Sequence, residues 1–280
     1  MWWGRSARQA DGERDQHDEQ SEHRAVAYGE QVEIYVGPSA RPGEPTRMEH
    51  RRRHASGVLQ TLLRPYARWW MSKERVTRVR RLRITVPVGV FPPRLFFSTR
   101  LVCRTIDRMD VVGKSFLEVG CGAGSISLVA ARGGAQATAL DISDLACETT
   151  RYNAAANFLT VKVVESDLFA SVDGRFDVIV ITPPYFQHDP STQLDHAFHA
   201  GAHFEYFQRL FAGLGAHLGP DSVCLLTLAE GCDVEIGRIA AAVGYEFRLR
   251  RRWMDLLQWT YVFDVVRTIA PSPQRPDAQR

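Results

Sequence analysis

Short apolar, β-branched segments alternate with longer helical segments from residue 96 onward. The predicted strands are SFLEVG, ATALDI, VKVVES, FDVIVIT and SVCLLTL, at 115–120, 137–142, 161–166, 176–182 and 222–228. Between them SISLVAARGG and LACETTRYNAAANF have helical patterns, and Ser143-Asp144 supplies an N-cap signal before the second. Strands that alternate with helices predict βαβ units, in which helices cover both faces of a parallel sheet.

The C-terminal part of the pattern predicts two further strands. EFRLRRRW and LQWTYVFDVVR are suited to an antiparallel hairpin at the sheet edge. The predicted fold class is therefore α/β: a Rossmann-like, doubly wound and mostly parallel seven-stranded sheet that ends in a C-terminal antiparallel hairpin.

The N-terminal part has a different character. Residues 1–55 are polar, with DGERDQHDEQSEHR offering almost nothing to bury, and we expect disorder there apart from a short strand at QVEIYVG. RPGEP (41–45) is typical of a linker. Residues 56–95 predict a helix followed by a strand or helix, and residues 271–280 a disordered tail.

The segment SKERVTRVRRLRITV is strongly basic. Two interpretations stay open for it: a solvated face of a strand or helix, or a patch that meets a phosphate-bearing or acidic partner.

Composition excludes several classes of protein. The 280 residues are 45% apolar and carry a net charge of +3, which makes no global case for nucleic acid. The five cysteines form no CxxC pair, which favours reduced thiols in a cytoplasmic protein over a disulfide or zinc framework. No apolar run is long enough to span a bilayer, and the N-terminus has no hydrophobic signal region.

A glycine-rich turn follows the first of these strands. In LEVGCGAGSIS the glycines are Gly120, Gly122 and Gly124, and Ser125 stands where a dinucleotide fingerprint requires Gly or Ala. Such a turn lets the backbone approach a ligand and present free N–H groups to it. Glu118, just before the turn, would repel a pyrophosphate but could engage an amine-bearing ligand.

Two further acids follow the next two strands. Asp141 is placed to accept hydrogen bonds from ribose hydroxyls, and Asp167 to accept from an adenine amino group. An adenosine joined to an amino-acid moiety would satisfy these two acids and Glu118 together.

FLEVGCGAGSIS, ALDIS, ESDLF and ITPPYF, in this order, resemble the class I S-adenosylmethionine-dependent methyltransferases. The Pro-Pro-Tyr turn is similar to the Asn-Pro-Pro-Tyr motif of the HemK/PrmC release-factor glutamine methyltransferases and of the adenine or guanine amino methyltransferases. The resemblance covers roughly residues 88–250 and implies a methyltransferase domain at 96–270. GVFPPRLFFSTRLV (89–102) looks like the segment that closes over the cofactor. The cofactor-binding residues implied are Glu118, Gly120, Cys121, Gly122, Gly124, Asp141, Ile142, Asp167, Leu168, Phe97 and Thr99.

Thr182, Pro183, Pro184 and Tyr185 are the predicted catalytic residues. Methyl transfer requires a nucleophile that is held close and aligned, and amide or aromatic amino nitrogens are poor nucleophiles. A rigid Pro-Pro turn can aim backbone carbonyls at the N–H protons, and Tyr185 offers a flat face for stacking. The predicted acceptor is a planar amide or amino nitrogen, with a protein glutamine implied by the resemblance.

Thr182 departs from the family motif, which has Asn at this position. A hydroxyl cannot both accept and donate as a carboxamide does, so three outcomes stay open: an unchanged acceptor, a shifted acceptor, or lost activity. The rival functions are a small-molecule methyltransferase, a base amino methyltransferase that uses 73–83 and Arg248, Arg250, Arg251 and Arg252 as a phosphate track, and a cofactor-binding scaffold.

Four histidines follow the Thr-Pro-Pro-Tyr segment. His196, His199 and His203 would share one helical face as metal ligands, but Gly201 would weaken that helix, so we predict no metal site. One of the histidines, His188 included, could instead act as a base. The aromatic run HFEYFQRLF is predicted to be core. The oligomeric state is not predicted.

Overall fold

The structure is a computed structural model, and it describes residues 62, 65, 66, 69–93, 97–185, 187–189, 199–255 and 258–268. The predicted N-terminal extension, the strand at QVEIYVG, the linker and the tail at 271–280 lie outside these residues. The described positions of the helix predicted within 56–71 are helical.

Nine strands and five helices have both of their ends within the described residues. The strands are β1 Arg75–Val79, β2 Leu82–Val86, β3 Ser115–Val119, β4 Gln136–Asp141, β5 Lys162–Glu165, β6 Phe176–Ile181, β7 Leu218–Ala229, β8 Tyr245–Asp255 and β9 Gln258–Arg267. The helices are α1 Phe97–Ile106, α2 Ser125–Arg132, α3 Asp144–Ala156, α4 Glu205–Leu214 and α5 Asp233–Ala242.

Seven of the strands form one sheet in the order β5-β4-β3-β6-β7-β9-β8. The pairs from β5 to β7 are parallel, and β9 runs antiparallel to both β7 and β8. This confirms the predicted fold class, including the C-terminal hairpin. Because β3, β4, β5 and β6 are parallel, the loops that follow them meet at one edge of the sheet.

Each face of the sheet has its own apolar cluster. One cluster joins Phe116, Val180 and Val262 of the sheet to α1 and α2. The other joins the opposite sheet face to α4 and α5, with Phe207 and Phe211 at its centre, which confirms that the aromatic run is core. No helix in the described part of the chain is long and apolar enough to cross a membrane. All five cysteines are free thiols.

The basic segment forms a two-stranded antiparallel hairpin, β1–β2. Its alternation places Val79, Leu82 and Ile84 in the same core cluster as α2, and leaves Arg78 and Arg83 exposed. The solvated-face interpretation therefore describes one side of this hairpin, and the other side is core.

One asparagine of α3, Asn153, and the C-cap of that helix, Asn157, attach this hairpin to the sheet domain. The Asn153 side chain accepts from the Thr85 N–H (2.8 Å) and donates to the Thr85 carbonyl (2.8 Å), so its amide pairs with β2 as a neighbouring strand would. It also donates to the carbonyl of Ala123 in the glycine loop (3.0 Å). One turn later Asn157 pairs in the same way with Arg83 (2.9 and 2.7 Å). Asn153 therefore connects the hairpin directly to the glycine loop.

Replacing Asn153 by alanine should destabilise the fold more than the same change at Asn157. Asn153 is fully buried, so Asn153→Ala leaves backbone groups of Thr85 and Ala123 without partners, at a cost of about 1–3 kcal/mol each. Water can replace the half-buried Asn157 amide, so Asn157→Ala should cost about 1 kcal/mol. Urea unfolding of the two variants measures the difference, and equal losses would contradict this role for Asn153.

Candidate functional site

The loops that follow β3, β4, β5 and β6 surround a cavity of about 530 Å³. A volume of this size suits a small-molecule ligand. All of the sequence-predicted site residues line it except Gly124 and Phe97: Glu118, Gly120, Cys121, Gly122, Asp141, Ile142, Asp167, Leu168, Thr99, Thr182, Pro183, Pro184 and Tyr185. Phe97 begins α1, and its side chain lies outside the described part of the structure.

The glycine loop is fixed by its own backbone and by α3. The N–H groups of Gly120 and Cys121 both donate to the Leu140 carbonyl, at 2.9 and 2.8 Å. Gly124 has φ of 77°, and a Cβ there would lie 2.7 Å from Thr150 Cγ2. Gly124 is therefore required for close packing of the loop against α3 and does not contact the cavity.

Asp141 joins the glycine loop to the start of α3. Its Oδ2 accepts from the Gly122 N–H (2.8 Å) and its Oδ1 from the Ser143 N–H (3.0 Å). Burial raises the pKa of Asp141, and the backbone hydrogen bonds from Gly122, Ser143 and Ile142 oppose that rise. Each carboxylate oxygen can accept more than one hydrogen bond, so the group can also serve a ligand hydroxyl in the cavity.

Glu118 is the most buried acid of the site, with 1% of its surface exposed. Its Oε2 accepts from the Ser127 N–H (2.8 Å) and from the Ser127 hydroxyl, in the first turn of α2. Burial raises the pKa of Glu118 to about 8, although the Ser127 hydrogen bonds act in the opposite direction. A cation in the cavity would favour the ionised form of this carboxyl.

Asp167 lies two residues beyond the end of β5, and its Oδ2 accepts from Arg209 Nη2 of α4 at 2.5 Å. Both side chains line the cavity. Sequence reasoning missed Arg209, because only the folded chain places α4 beside the loop after β5. Asp167, the predicted acceptor for the adenine amino group, therefore already has one oxygen in an ion pair. Its other carboxylate oxygen makes no hydrogen bond within the described residues.

The Thr-Pro-Pro-Tyr segment continues directly from the buried end of β6. The Thr182 hydroxyl donates weakly to the Gly120 carbonyl, at 3.5 Å, so the segment lies beside the glycine loop. Burial raises the pKa of Tyr185 to about 12, so its hydroxyl stays protonated at neutral pH.

Tyr185 also lines a second cavity, of about 560 Å³. The other residues around this cavity are Gln187, His203, Phe204, Ala229, Glu230, Gly231, Cys232, Glu235 and Gln258. The tyrosine is therefore part of the wall that the two cavities share. The second cavity has no signal in the sequence, because its lining comes from separate segments: the loop between β6 and α4, the end of β7, α5 and β9.

Two buried hydroxyls at the first cavity were also missed from the sequence. Ser125 Oγ and Thr227 Oγ1 are buried and make no hydrogen bond within the described chain. Both residues line the cavity. Because Ile181 pairs with Leu226, Thr182 and Thr227 follow paired positions on adjacent strands. The polar Thr227 in the apolar run LLTL was the available signal.

The spacing of the histidines allowed a shared helical face, against which Gly201 argued. His199 and His203 precede α4, which begins at Glu205, and His196 lies outside the described residues. The two described histidines of the three are therefore not helical. His188 and His199 contact each other edge to face, with ring centroids 5.2 Å apart. Across the described residues no group of three His, Cys, Asp or Glu side chains could hold a metal ion.

Residues 81–206 match the family described as methyltransferase small domain. A Methanocaldococcus jannaschii protein, named provisionally as a protein N5-glutamine methyltransferase, is 39% identical over 88 residues, which are 31% of this chain and 45% of that protein. Ribosomal RNA small subunit methyltransferase C of Haemophilus influenzae is 41% identical over 100 residues, 35% of this chain and 30% of that one. The chain thus spans less than half the length of these relatives.

A solved T. thermophilus 16S rRNA N2 methyltransferase, in complex with AdoMet and guanosine, has the same fold. Its TM-score is 0.53 at 19% identity, over 70% of this chain and 50% of that chain. This likeness shows a shared fold, and the match of residues 81–206 agrees with the predicted S-adenosylmethionine-dependent methyltransferase. The two curated relatives differ in the acceptor that their names give, so the comparisons leave the acceptor of this chain open.

The raised pKa of Glu118 predicts a pH-dependent stability. The folded pKa of about 8 lies above the ordinary value of 4.5, so the folded state holds a proton that the unfolded state has lost within this window. The free energy of unfolding should therefore fall as pH rises from about 5 to about 8. Glu118→Gln should flatten that fall, whereas Glu148→Gln, at an exposed position of α3, should not. Urea unfolding at several pH values tests this, and an unchanged slope in Glu118→Gln would contradict it.

Proposed function

We propose that this chain transfers a methyl group from S-adenosylmethionine to a planar amide or amino nitrogen. The observation that carries the proposal is the position of Tyr185, which lines both the cavity of the glycine loop and the second cavity. A methyl donor in the first cavity and a methyl acceptor in the second would meet at the Thr-Pro-Pro-Tyr segment.

The first cavity has the acceptor groups that suit S-adenosylmethionine. Asp141 would accept from the ribose, Asp167 would face the adenine, and Glu118 would balance the ammonium group. The unpartnered Ser125 hydroxyl offers one further polar contact. When bound, the cofactor supplies an electrophilic methyl group on a sulfonium.

The Thr-Pro-Pro-Tyr segment would position the acceptor nitrogen. Its prolines hold the backbone rigid and offer carbonyls without competing N–H donors. Carbonyls aimed at the acceptor N–H groups would stabilise the positive charge that develops on nitrogen. Tyr185 would stack on the planar group and help to exclude water from the transfer path.

The second cavity has a lining that suits a hydrogen-bond donor. It is bordered by the carboxylates of Glu230 and Glu235 and by the amides of Gln187 and Gln258, and neither Lys nor Arg is among its described lining residues. Glu235 also pairs with Arg238 (2.8 Å), which offsets part of its charge. An amide or amino group meets acceptors here, whereas a carboxylate or phosphate would be repelled.

Thr182 and Thr227 together would replace the asparagine of the related motif. Two hydroxyls on adjacent strands can divide the roles of one carboxamide, with one accepting and the other donating. Thr227 is 2% exposed and its hydroxyl has no partner in the described structure, so it is available to a ligand in the cavity.

Glutamine and guanine methyltransferases both appear among the similar proteins, and both acceptors present a planar nitrogen. This supports the shared chemistry of the proposal. The protein glutamine implied by the sequence resemblance stays a proposal on the same footing as a nucleobase. A scaffold without catalysis would bind the cofactor and methylate neither.

Removal of the Asp141 carboxylate should weaken cofactor binding. Asp141→Ala loses a hydrogen-bonded ionisable group that also fixes Gly122, so the Kd of S-adenosylhomocysteine should rise roughly tenfold to hundredfold. Asp144→Ala, at an exposed carboxylate three residues away, is the control and should change Kd little. Calorimetric titration measures both, and equal Kd values for wild type and Asp141→Ala would reject the assigned cofactor site.

Substitutions of Thr182, Tyr185 and Thr227 should show how much each side chain contributes to methyl transfer, apart from the backbone carbonyls of the Thr-Pro-Pro-Tyr segment. Thr182→Ala and Thr227→Val should each slow methyl transfer roughly twofold to tenfold, the worth of one neutral hydrogen bond. Tyr185→Ala should cost more, while Tyr185→Phe keeps the ring and most of the activity. Thr182→Asn restores the carboxamide and should favour glutamine as acceptor.

Transfer of labelled methyl to a glutamine-containing release-factor peptide and to RNA oligonucleotides with unpaired bases provides the measurement. Full activity in Tyr185→Ala together with none in Thr182→Ala would mean that chemistry depends on the hydroxyl, contrary to this account.

A further inference from the structure

One face of the edge strand β8 is basic. β8 is the last strand of the sheet and pairs with β9. Tyr245 and Phe247 point to the cluster that contains α4 and α5. Arg251 and Trp253 pair with Val262 and Thr260 of β9, and Val262 belongs to the α1 cluster. Paired residues of neighbouring strands share a face, and a register shift between Leu249 and Arg251 reverses the alternation along β8, so Arg251 and Trp253 lie on the α1 side of the sheet.

Several guanidinium groups gather on this side. Arg251 is half-buried, and its pKa is lowered by burial first and then by the positive charges of Arg108, Arg104 and Arg250. Arg250 is balanced by Asp264 at 2.8 Å. The side chains of Arg108 and Arg251 make neither an ion pair nor a hydrogen bond within the described residues. Like charges held together in this way are unfavourable unless an anion neutralises them.

An exposed aromatic ring adjoins these charges. Trp253 is 43% exposed, and the Arg104 guanidinium lies 5.9 Å from its ring centre. β8 is antiparallel to β9, which is antiparallel to β7, so β8 runs toward the same sheet edge as the methyl-transfer site. The first turn of α1 carries Ser98 and Thr99 into the first cavity. α1 and β8 therefore connect this basic surface with the edge where the site lies.

We propose that Arg104, Arg108, Arg251 and Trp253, here called the α1–β8 face, bind a single-stranded nucleic acid. Arginine forks match phosphate oxygens, and an exposed indole stacks on an unpaired base. An acidic protein would satisfy the charges but would make no comparable use of the exposed Trp253 ring. The proposal goes beyond the methyl-transfer function and does not depend on it, because binding can be measured without a methyl donor.

The α1–β8 face differs from the tracks considered from the sequence. Arg248 pairs with Glu246 (2.6 Å) and Arg250 with Asp264, so their charges are already balanced. In the β1–β2 hairpin Arg80 pairs with Asp107, while Arg78 and Arg83 are exposed on β1 and β2. These two exposed arginines serve as a matched control on a separate surface.

The test is fluorescence anisotropy of the full chain with a labelled single-stranded RNA of mixed sequence across a range of salt concentrations. The double variant Arg108→Gln/Arg251→Gln should weaken binding at least tenfold at low salt. It should also reduce the slope of log Kd against log salt by about 1.4, since each phosphate contact contributes about 0.7. Trp253→Ala should weaken binding roughly fivefold to hundredfold and leave the salt slope unchanged.

The control variant Arg78→Gln/Arg83→Gln removes the same charge and should keep wild-type affinity and slope. Equal losses in the two double variants would mean a diffuse charge effect and would overturn the α1–β8 face. Tighter binding of a labelled glutamate-rich peptide than of the RNA would identify an acidic protein as the partner and would also overturn it. S-adenosylhomocysteine binding by every variant confirms that each is folded, and methyl transfer to any acceptor is a separate readout.

Discussion

The carboxylate of Asp141 is the constraint on which the site depends. It binds the Gly122 N–H in one loop and the Ser143 N–H in the next, so the ends of β3 and β4 share one anchor. Ser143 in turn caps α3 by accepting from the Ala146 N–H (3.3 Å). From α3 the Thr150 hydroxyl returns to the Gly122 carbonyl (3.1 Å). The glycine loop is thus held from both sides, and the N–H groups of Gly120, Cys121 and Gly122 are used to hold it rather than left free for a ligand.

The parts that the sequence predicts correctly are those encoded by neighbouring residues. The pattern for β3 at 115–120 matches Ser115–Val119, and the Ser143 cap is observed, because strand alternation and capping are local properties. The Asp167–Arg209 pair joins residues 42 positions apart, and Thr182 and Thr227 both follow a residue pair, Ile181 and Leu226, that strand order alone brings together. Such contacts follow from tertiary packing, which a single sequence does not display.

The same limit explains the basic segments. From the number of arginines alone, 73–83 and 248–252 are equal candidates for a phosphate track. A run of charges in the sequence does not show which of them have acidic partners in the fold. In the folded chain Glu246, Asp264 and Asp107 neutralise three of these arginines. On the α1 side of the sheet, uncompensated charges come together where Arg251 of β8 lies near Arg108, just beyond the end of α1. A small net charge of +3 is therefore compatible with a local cluster of positive charge on one surface.

The two charged surfaces near the site limit how a nucleic acid could use it. The second cavity is bordered by Glu230 and Glu235 on the α5 side of the sheet, whereas the α1–β8 face lies on the opposite side. Phosphates are attracted to the basic face and repelled by the acidic cavity. The sugar–phosphate backbone of a nucleic acid therefore could not enter that cavity together with the base. A neutral base, extruded from the strand, could enter alone and meet Tyr185. A protein glutamine, equally neutral, could do the same without contacting the α1–β8 face. The chemistry of the acceptor nitrogen therefore does not distinguish a nucleobase from a protein glutamine. The distinction has to come from what the α1–β8 face binds outside the cavity.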